Sequence, residues 1–164
     1  MILIALGANL PSPSHGAPRA TCEAALEALS AAGVRVMRCS RWYESAPVPA
    51  SDQPWFINGV AAVETELSAA DLLALLHRIE VDFGRARRVR DEARVLDLDL
   101  LAYGDRVSAP GETPVLPHPR MAERAFVLLP LAEMAPCWRH PVSGLSPAEM
   151  AGQLPPDQVA QPIE

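Results

Sequence analysis

The sequence predicts an α+β sandwich in which a largely antiparallel sheet is covered by helices. Three observations lead there. Short apolar runs that read as strands are mixed with stretches of three-and-four apolar spacing that read as helices. The two kinds do not follow the strict β-α-β-α alternation of a parallel fold. The length of 164 residues suits one domain, expected over 1–154, with a polar, proline-rich tail at 155–164 expected to fray.

Each element follows from local pattern. Residues 2–6 are an apolar run ending at Gly7-Ala-Asn9, a buried strand and then a turn. Pro18 suits the first turn of a helix to about residue 32, with Cys22, Ala25, Leu26 and Leu29 on one face and Gly33 at its end. Residues 34–40 carry an imperfect strand pattern, and the three prolines of 46–54 mark a loop. A strand is expected over 56–67, its Ala61, Val63 and Thr65 alternating with Glu64 and Glu66. Ser68-Ala-Ala-Asp71 resembles a capping box and opens a helix to residue 83, which Gly84 stops. A basic loop at 85–94 leads into a strand at 95–103. Residues 121–134 read as a helix interrupted at Pro130, and Ser146-Pro-Ala-Glu149 starts a last short helix.

The chemistry concentrates in Arg94-Val-Leu-Asp97-Leu-Asp99-Leu-Leu-Ala-Tyr103. On a strand, residues two apart share a face, so Asp97 and Asp99 point one way and Leu96, Leu98 and Leu100 the other. Two carboxylates roughly 7 Å apart on one face repel unless something neutralises them. Magnesium does so, since it takes one or two carboxylates together with water and phosphate oxygens. A bare Asp-x-Asp is more often the polar side of an edge strand. Its neighbours shift that balance: Arg85, Arg87, Arg88, Arg90 and Arg94 place five guanidiniums just before the strand. Arginine grips phosphate in a bidentate fork at any relevant pH, and phosphoryl transfer depends on stabilising spread charge.

Composition removes other classes. The net charge of −6 gives no support for nonspecific binding to nucleic acid or an anionic membrane. All 14 basic residues are arginine, so no lysine is there to complete a P-loop. No apolar run approaches the ~20 residues of a membrane helix, and residues 1–6 lack a signal peptide's basic start. Cys22, Cys39 and Cys137 share no metal spacing and are expected as reduced thiols, which fits a cytoplasmic protein.

With these residues on the page, the chain resembles the 6-hydroxymethyl-7,8-dihydropterin pyrophosphokinase family of folate biosynthesis. The likeness runs from residue 2 to 144 through blocks in family order: Ile4-Ala-Leu-Gly-Ala-Asn-Leu10, Tyr43-Glu-Ser45, Asp52-Gln-Pro-Trp-Phe-Ile-Asn58, Arg94-Val-Leu-Asp-Leu-Asp-Leu-Leu101, Leu116-Pro-His-Pro-Arg120 and Arg124-Ala-Phe-Val-Leu-Leu-Pro-Leu131. The resemblance implies a ferredoxin-like sandwich, usually monomeric, that moves the β,γ-pyrophosphoryl group of ATP to the pterin's hydroxymethyl oxygen and leaves AMP. It implies that Asp97 and Asp99 bind two Mg2+ ions, and that Arg85 and Arg94 grip phosphate from a mobile loop. Arg87, Arg90, His118 and Arg124 would line the nucleotide path, with His77 and Glu80 near the nucleotide. Asn58 would bond the pterin, Phe56 and Phe126 would stack on its faces, and Ser45, Ala46 and Val48 would meet its edge. Asp91-Glu92-Ala93 stands where many members carry Trp-Gly-Pro. A noncatalytic ferredoxin-like module binding nucleotide or pterin is the alternative.

Overall fold

The central strand is β1 (Ile2–Ala8), an almost wholly buried run with a neighbour on each side. In the computed structural model, which describes residues 1–84 and 93–163, β5 (Asp97–Tyr103) pairs antiparallel with one side of β1 and β4 (Phe56–Glu64) with the other. The far side of β4 carries two short strands end to end. β2 (Arg35–Cys39) pairs with its C-terminal half and β3 (Tyr43–Ser45) with its N-terminal half. β6 (Ala160–Pro162) adds to β3. Every pairing is antiparallel. With α1 (Pro18–Ala31) between β1 and β2, and α2 (Ala69–Asp82) between β4 and β5, the order β5-β1-β4-β2 is the ferredoxin-like arrangement.

Helices cover both faces of this sheet. Cys22, Ala25 and Leu29 of α1 and Leu72, Leu75, Leu76 and Ile79 of α2 pack on Ile4, Leu6, Ala61, Val63, Leu98 and Leu100. Val127, Leu131 and Met134 of α3 (Ala125–Met134) pack on Leu3, Ala5, Val60, Ala62 and Leu101. β4 therefore does not alternate buried and polar, as its sequence suggested. It ends at Glu64, and Val60, Ala61, Ala62 and Val63 are all buried because each face has its own helical cover.

Two further expectations change, and one strand is added. The break in the 121–134 segment falls at Arg124, not Pro130. A one-turn 3-10 helix (Met121–Glu123) precedes Arg124, which is extended at φ −121° and ψ 110°. Pro130 lies inside α3, where the bond to the Phe126 carbonyl is forgone and burial of Val127, Leu128 and Leu131 holds the turn instead. Tyr43–Ser45, unmarked by any period, is a strand because β4 and β6 flank it. The tail expected to fray from residue 155 carries β6 instead, and Ile163 N–H donates to the Trp42 carbonyl at 2.9 Å. The short helix after Ser146 forms as expected, as α4 (Pro147–Ala151) with a reciprocal Ser146–Glu149 capping box.

Candidate active site

The site grows out of one row across the sheet. Gly7 of β1 stands opposite Asp97 of β5 on one side and Asn58 of β4 on the other, and Asn58 stands opposite Tyr43 of β3. Two residues in, on the same face, Ala5 stands opposite Asp99. Neighbouring strands lie about 4.8 Å apart, so the bare backbone of Gly7 forms a low floor between a carboxylate and a carboxamide. Leu96, Leu98 and Leu100 join the α1/α2 core, which confirms that Asp97 and Asp99 face the α3 side. Asn58, Asp97 and Asp99 open into a cleft of about 310 Å³ bounded by the 45–49 loop, Phe56, the 118–120 turn and Phe126.

Cations surround the acids. Arg94 Nη1 donates to Asp97 Oδ2 at 2.7 Å, and both side chains are largely shielded. Arg94 Nε is shut off from water, with no acceptor among the described residues. That leaves a guanidinium donor in the wall for an oxyanion. Arg124 Nη1 lies 3.7 Å from Asp99 Oδ2, and its guanidinium carbon sits 5.4 Å from the Phe126 ring centre. The extended conformation of Arg124 allows this, since a continuous helix would carry the side chain around the axis. His118 Nε2 faces Asp99 Oδ1 at 3.9 Å, while Nδ1 accepts the Arg120 N–H at 3.1 Å. That bond assigns the neutral ring's proton to Nε2. Burial, then the Arg124 charge, push the His118 pKa down to about 4, so the ring is a neutral donor at physiological pH.

The opposite wall is held by amides. Asn58 Nδ2 donates to Ser45 Oγ at 2.6 Å, and both residues are buried. Asn9, just past β1 and 2% exposed, ties three segments together. Its Oδ1 accepts the Arg94 N–H at 2.7 Å, and its Nδ2 donates to Gln53 Oε1 at 3.1 Å and to the Pro54 carbonyl at 3.0 Å. Its own N–H donates to the Arg94 carbonyl at 3.0 Å.

Eleven of the expected site residues line this cleft: Ser45, Ala46, Val48, Phe56, Asn58, Arg94, Asp97, Asp99, His118, Arg124 and Phe126. Two do not. His77 is exposed on α2, and Glu80 is buried against the sheet's other face, where its Oε2 accepts the Leu98 N–H at 3.2 Å. Arg85, Arg87, Arg88 and Arg90 lie outside the described residues. Sequence reasoning assigned no role to Gln53, Arg120, Gly7 or Asn9, though each stands inside a block that carried the family likeness. Asp97, Asp99 and His118 are too few for an all-protein metal cage, and no cluster of that kind occurs among the described residues. Two carboxylates on a common face do fit magnesium, which completes its shell with water and phosphate oxygens.

Fold and cleft together define a ferredoxin-like sandwich with paired acids, guanidiniums and an anchored amide on one sheet face. The chain belongs to the 7,8-dihydro-6-hydroxymethylpterin-pyrophosphokinase (HPPK) family, whose model matches residues 3–136. It is 38% identical to 2-amino-4-hydroxy-6-hydroxymethyldihydropteridine pyrophosphokinase of Synechocystis sp., over 98% of this chain and 88% of that one. It is 43% identical to the protein of the same name from Pseudomonas aeruginosa, over 85% of this chain and 83% of that one. The solved structure of wild-type Plasmodium falciparum HPPK-DHPS with pteroate shares the fold, with a TM-score of 0.68 and 13% identity, over 92% of this chain and 43% of that one.

Proposed function

We infer that this protein is a 2-amino-4-hydroxy-6-hydroxymethyldihydropteridine pyrophosphokinase of folate biosynthesis. It moves a pyrophosphoryl group from ATP to the hydroxymethyl oxygen of 6-hydroxymethyl-7,8-dihydropterin. The observation that supports this reading is the row Asp97–Gly7–Asn58, in which a carboxylate suited to magnesium and an amide suited to a heterocycle's edge flank a glycine.

In this reading the pterin lies over Gly7, bonded at its edge by Asn58 and sandwiched between Phe56 and Phe126. Ser45 orients the Asn58 amide, and the 45–48 segment meets the ring edge. The pterin hydroxyl attacks the β-phosphorus in line. A new oxygen–phosphorus bond forms, the bond from the β-phosphorus to the α,β-bridging oxygen breaks, AMP carries that oxygen away, and the hydroxyl proton is released to solvent. Arg94, Arg124 and neutral His118 hold the phosphate oxygens where charge develops, so little reorganisation accompanies the step. Asp97 and Asp99 would hold two magnesium ions, which when bound neutralise the polyphosphate and polarise the attacked phosphate. Arg85, Arg87 and Arg90 would close over ATP and exclude water, with His77 and Glu80 nearer the nucleotide end.

A single catalytic unit that takes in the tail with β6, working as a monomer in the cytoplasm without nucleic acid or membrane partners, fits this chemistry. No helix among the described residues is long and apolar enough to cross a membrane. The decisive experiment incubates the protein with ATP, magnesium and 6-hydroxymethyl-7,8-dihydropterin. AMP and the pterin diphosphate in equal amounts are expected. Binding of both substrates without AMP would instead identify a noncatalytic module.

A further inference from the structure

The last strand lies beyond residues 3–136, the span the family model matches, and its segment touches both walls of the cleft. On one wall, Gln158 Nε2 donates to the Glu123 carbonyl at 2.8 Å and Gln158 Oε1 accepts the Ala125 N–H at 2.9 Å. These two backbone groups stand immediately before and after Arg124. On the other wall, the Val159 carbonyl accepts the Ala46 N–H at 3.1 Å, and Ala160 pairs with Ser45.

The Arg124 junction needs such a partner. Arg124 is the N-cap of α3 and makes no side-chain cap bond, so it cannot satisfy the helix's first N–H itself. Gln158 supplies the missing acceptor from across the molecule and binds the last carbonyl of the 3-10 turn with the same amide. A single carboxamide thus bridges both sides of the one extended residue. That residue's guanidinium reaches Asp99 and Phe126. If Arg124 relaxed towards helical dihedrals, the turn and α3 would run together and the side chain would swing along the helix surface.

We propose that Gln158 is a positioning residue for pyrophosphoryl transfer, holding Arg124 extended so that its guanidinium faces the phosphate side of the cleft. The tail segment that carries it leads into β6 and anchors the Ser45–Ala46 wall at the same time, so the tail fixes the spacing of the two walls. This rests on the reading of Arg124 as a phosphate-side group.

The test compares Gln158→Met, which keeps the side chain's length without its hydrogen bonds, in the wild-type and Arg124→Ala backgrounds. In the wild-type background kcat should fall about tenfold, the scale of a small misplacement of a reacting group. ATP and pterin KM values should move less. In the Arg124→Ala background the same change should cost almost nothing more. Gln158→Glu keeps the acceptor and repels the Glu123 carbonyl, and should fall in between. It serves as the second variant if Gln158→Met unfolds. Wild-type kcat in both Gln158 variants, or an equal fold-loss in both backgrounds, overturns the proposal. Calorimetric binding of magnesium pyrophosphate read across the same four proteins gives an answer without turnover. A wild-type chain that yields no AMP therefore sinks the pyrophosphokinase reading while this coupling is still decided.

Discussion

Gly7 stands opposite Asn58 in the β1–β4 ladder, and a Cβ added to Gly7 would lie 3.0 Å from Asn58 Oδ1. The glycine is thus required by close approach, because Ser45 holds the Asn58 amide from its other side at 2.6 Å. Gly7→Ala makes the Asn58 amide give by a few tenths of an ångström against its bond to Ser45. Overpacking of this kind costs about 1–3 kcal/mol. We expect the pterin KM to rise about tenfold while ATP KM stays within about twofold, if the cost falls on the acceptor side. Steady-state kinetics with each substrate varied will show it. An unchanged pterin KM would remove Asn58 as the acceptor's anchor.

Asn9 joins the backbone before β5 to the loop that holds Gln53 and Pro54, through four hydrogen bonds in a buried position. In Asn9→Asp the Arg94 N–H keeps its acceptor, but two oxygens face a carboxylate in place of an N–H2 group. Loss of buried donors costs about 1–3 kcal/mol, and more where a charge is left. The melting temperature should fall by roughly 4–8 °C for a loss of about 2 kcal/mol in a chain of this size. Asn9→Ala should fall further, since the Arg94 N–H then also loses its partner. Calorimetry of the three proteins checks the order, and a variant as stable as wild type would show that the three segments hold without this tie.

The acid pair shows which parts of the site are legible in sequence. Period-two geometry alone puts Asp97 and Asp99 on one face and the intervening leucines on the other, and the core confirms it. Capping chemistry is equally local, so the helices at Ser68 and Ser146 begin where expected. What stays hidden depends on partners remote in the chain. β3 is three residues long and exists only through β4 and β6. The tail has no period of its own and is ordered by pairing. Pro130 looks like a helix breaker, yet burial keeps it inside α3 and the break moves to Arg124. Gln158 carries no local signal at all, because its role exists only once residues 123–125 are brought beside it.

Asp97 and Asp99 face the same cleft but have different neighbours, so their variants should differ. Asp97→Ala removes the partner of Arg94, whereas Asp99→Ala removes the acid between His118 and Arg124. Both should lower kcat on the order of a hundredfold or more, the scale of losing charge stabilisation in the transition state. Asp97→Ala should also loosen the β5 entrance. Its thermal transition should fall below that of wild type, because the Asp97–Arg94 ion pair is hydrogen-bonded at 2.7 Å between largely shielded side chains. Rates near wild type for both, with magnesium and ATP saturating, are the result that rejects the assignment.

Glu80 presents the reverse case, an expected nucleotide-side residue that braces the sheet from behind. It is 1% exposed and accepts the Leu98 N–H of edge strand β5 at 3.2 Å. Glu80→Ala strands that N–H in the α2–β5 interface and should cost about 1–3 kcal/mol of stability. Hydrogen exchange at the Leu98 amide should quicken in step. If Glu80 acts mainly on nucleotide, ATP KM should rise by more than tenfold with stability unchanged, so urea denaturation beside ATP titration separates the two roles.

His118 gives the ligand-free protein a defined acid response. Burial and the nearby Arg124 charge lower its pKa from 6.5 to about 4. A histidine depressed in the folded state takes up its proton more readily when unfolded, so protons favour unfolding throughout that interval. The stabilisation is fully present above pH 6.5 and is lost as pH falls towards 4, amounting to on the order of 3 kcal/mol if the whole shift is expressed. His118→Gln keeps an amide donor and cannot titrate. Urea unfolding of the metal-free protein from pH 7.5 to 4.5 should therefore show a slope in wild type that is reduced in His118→Gln. Parallel slopes in the two proteins would place the acid sensitivity elsewhere and leave His118 with an ordinary pKa.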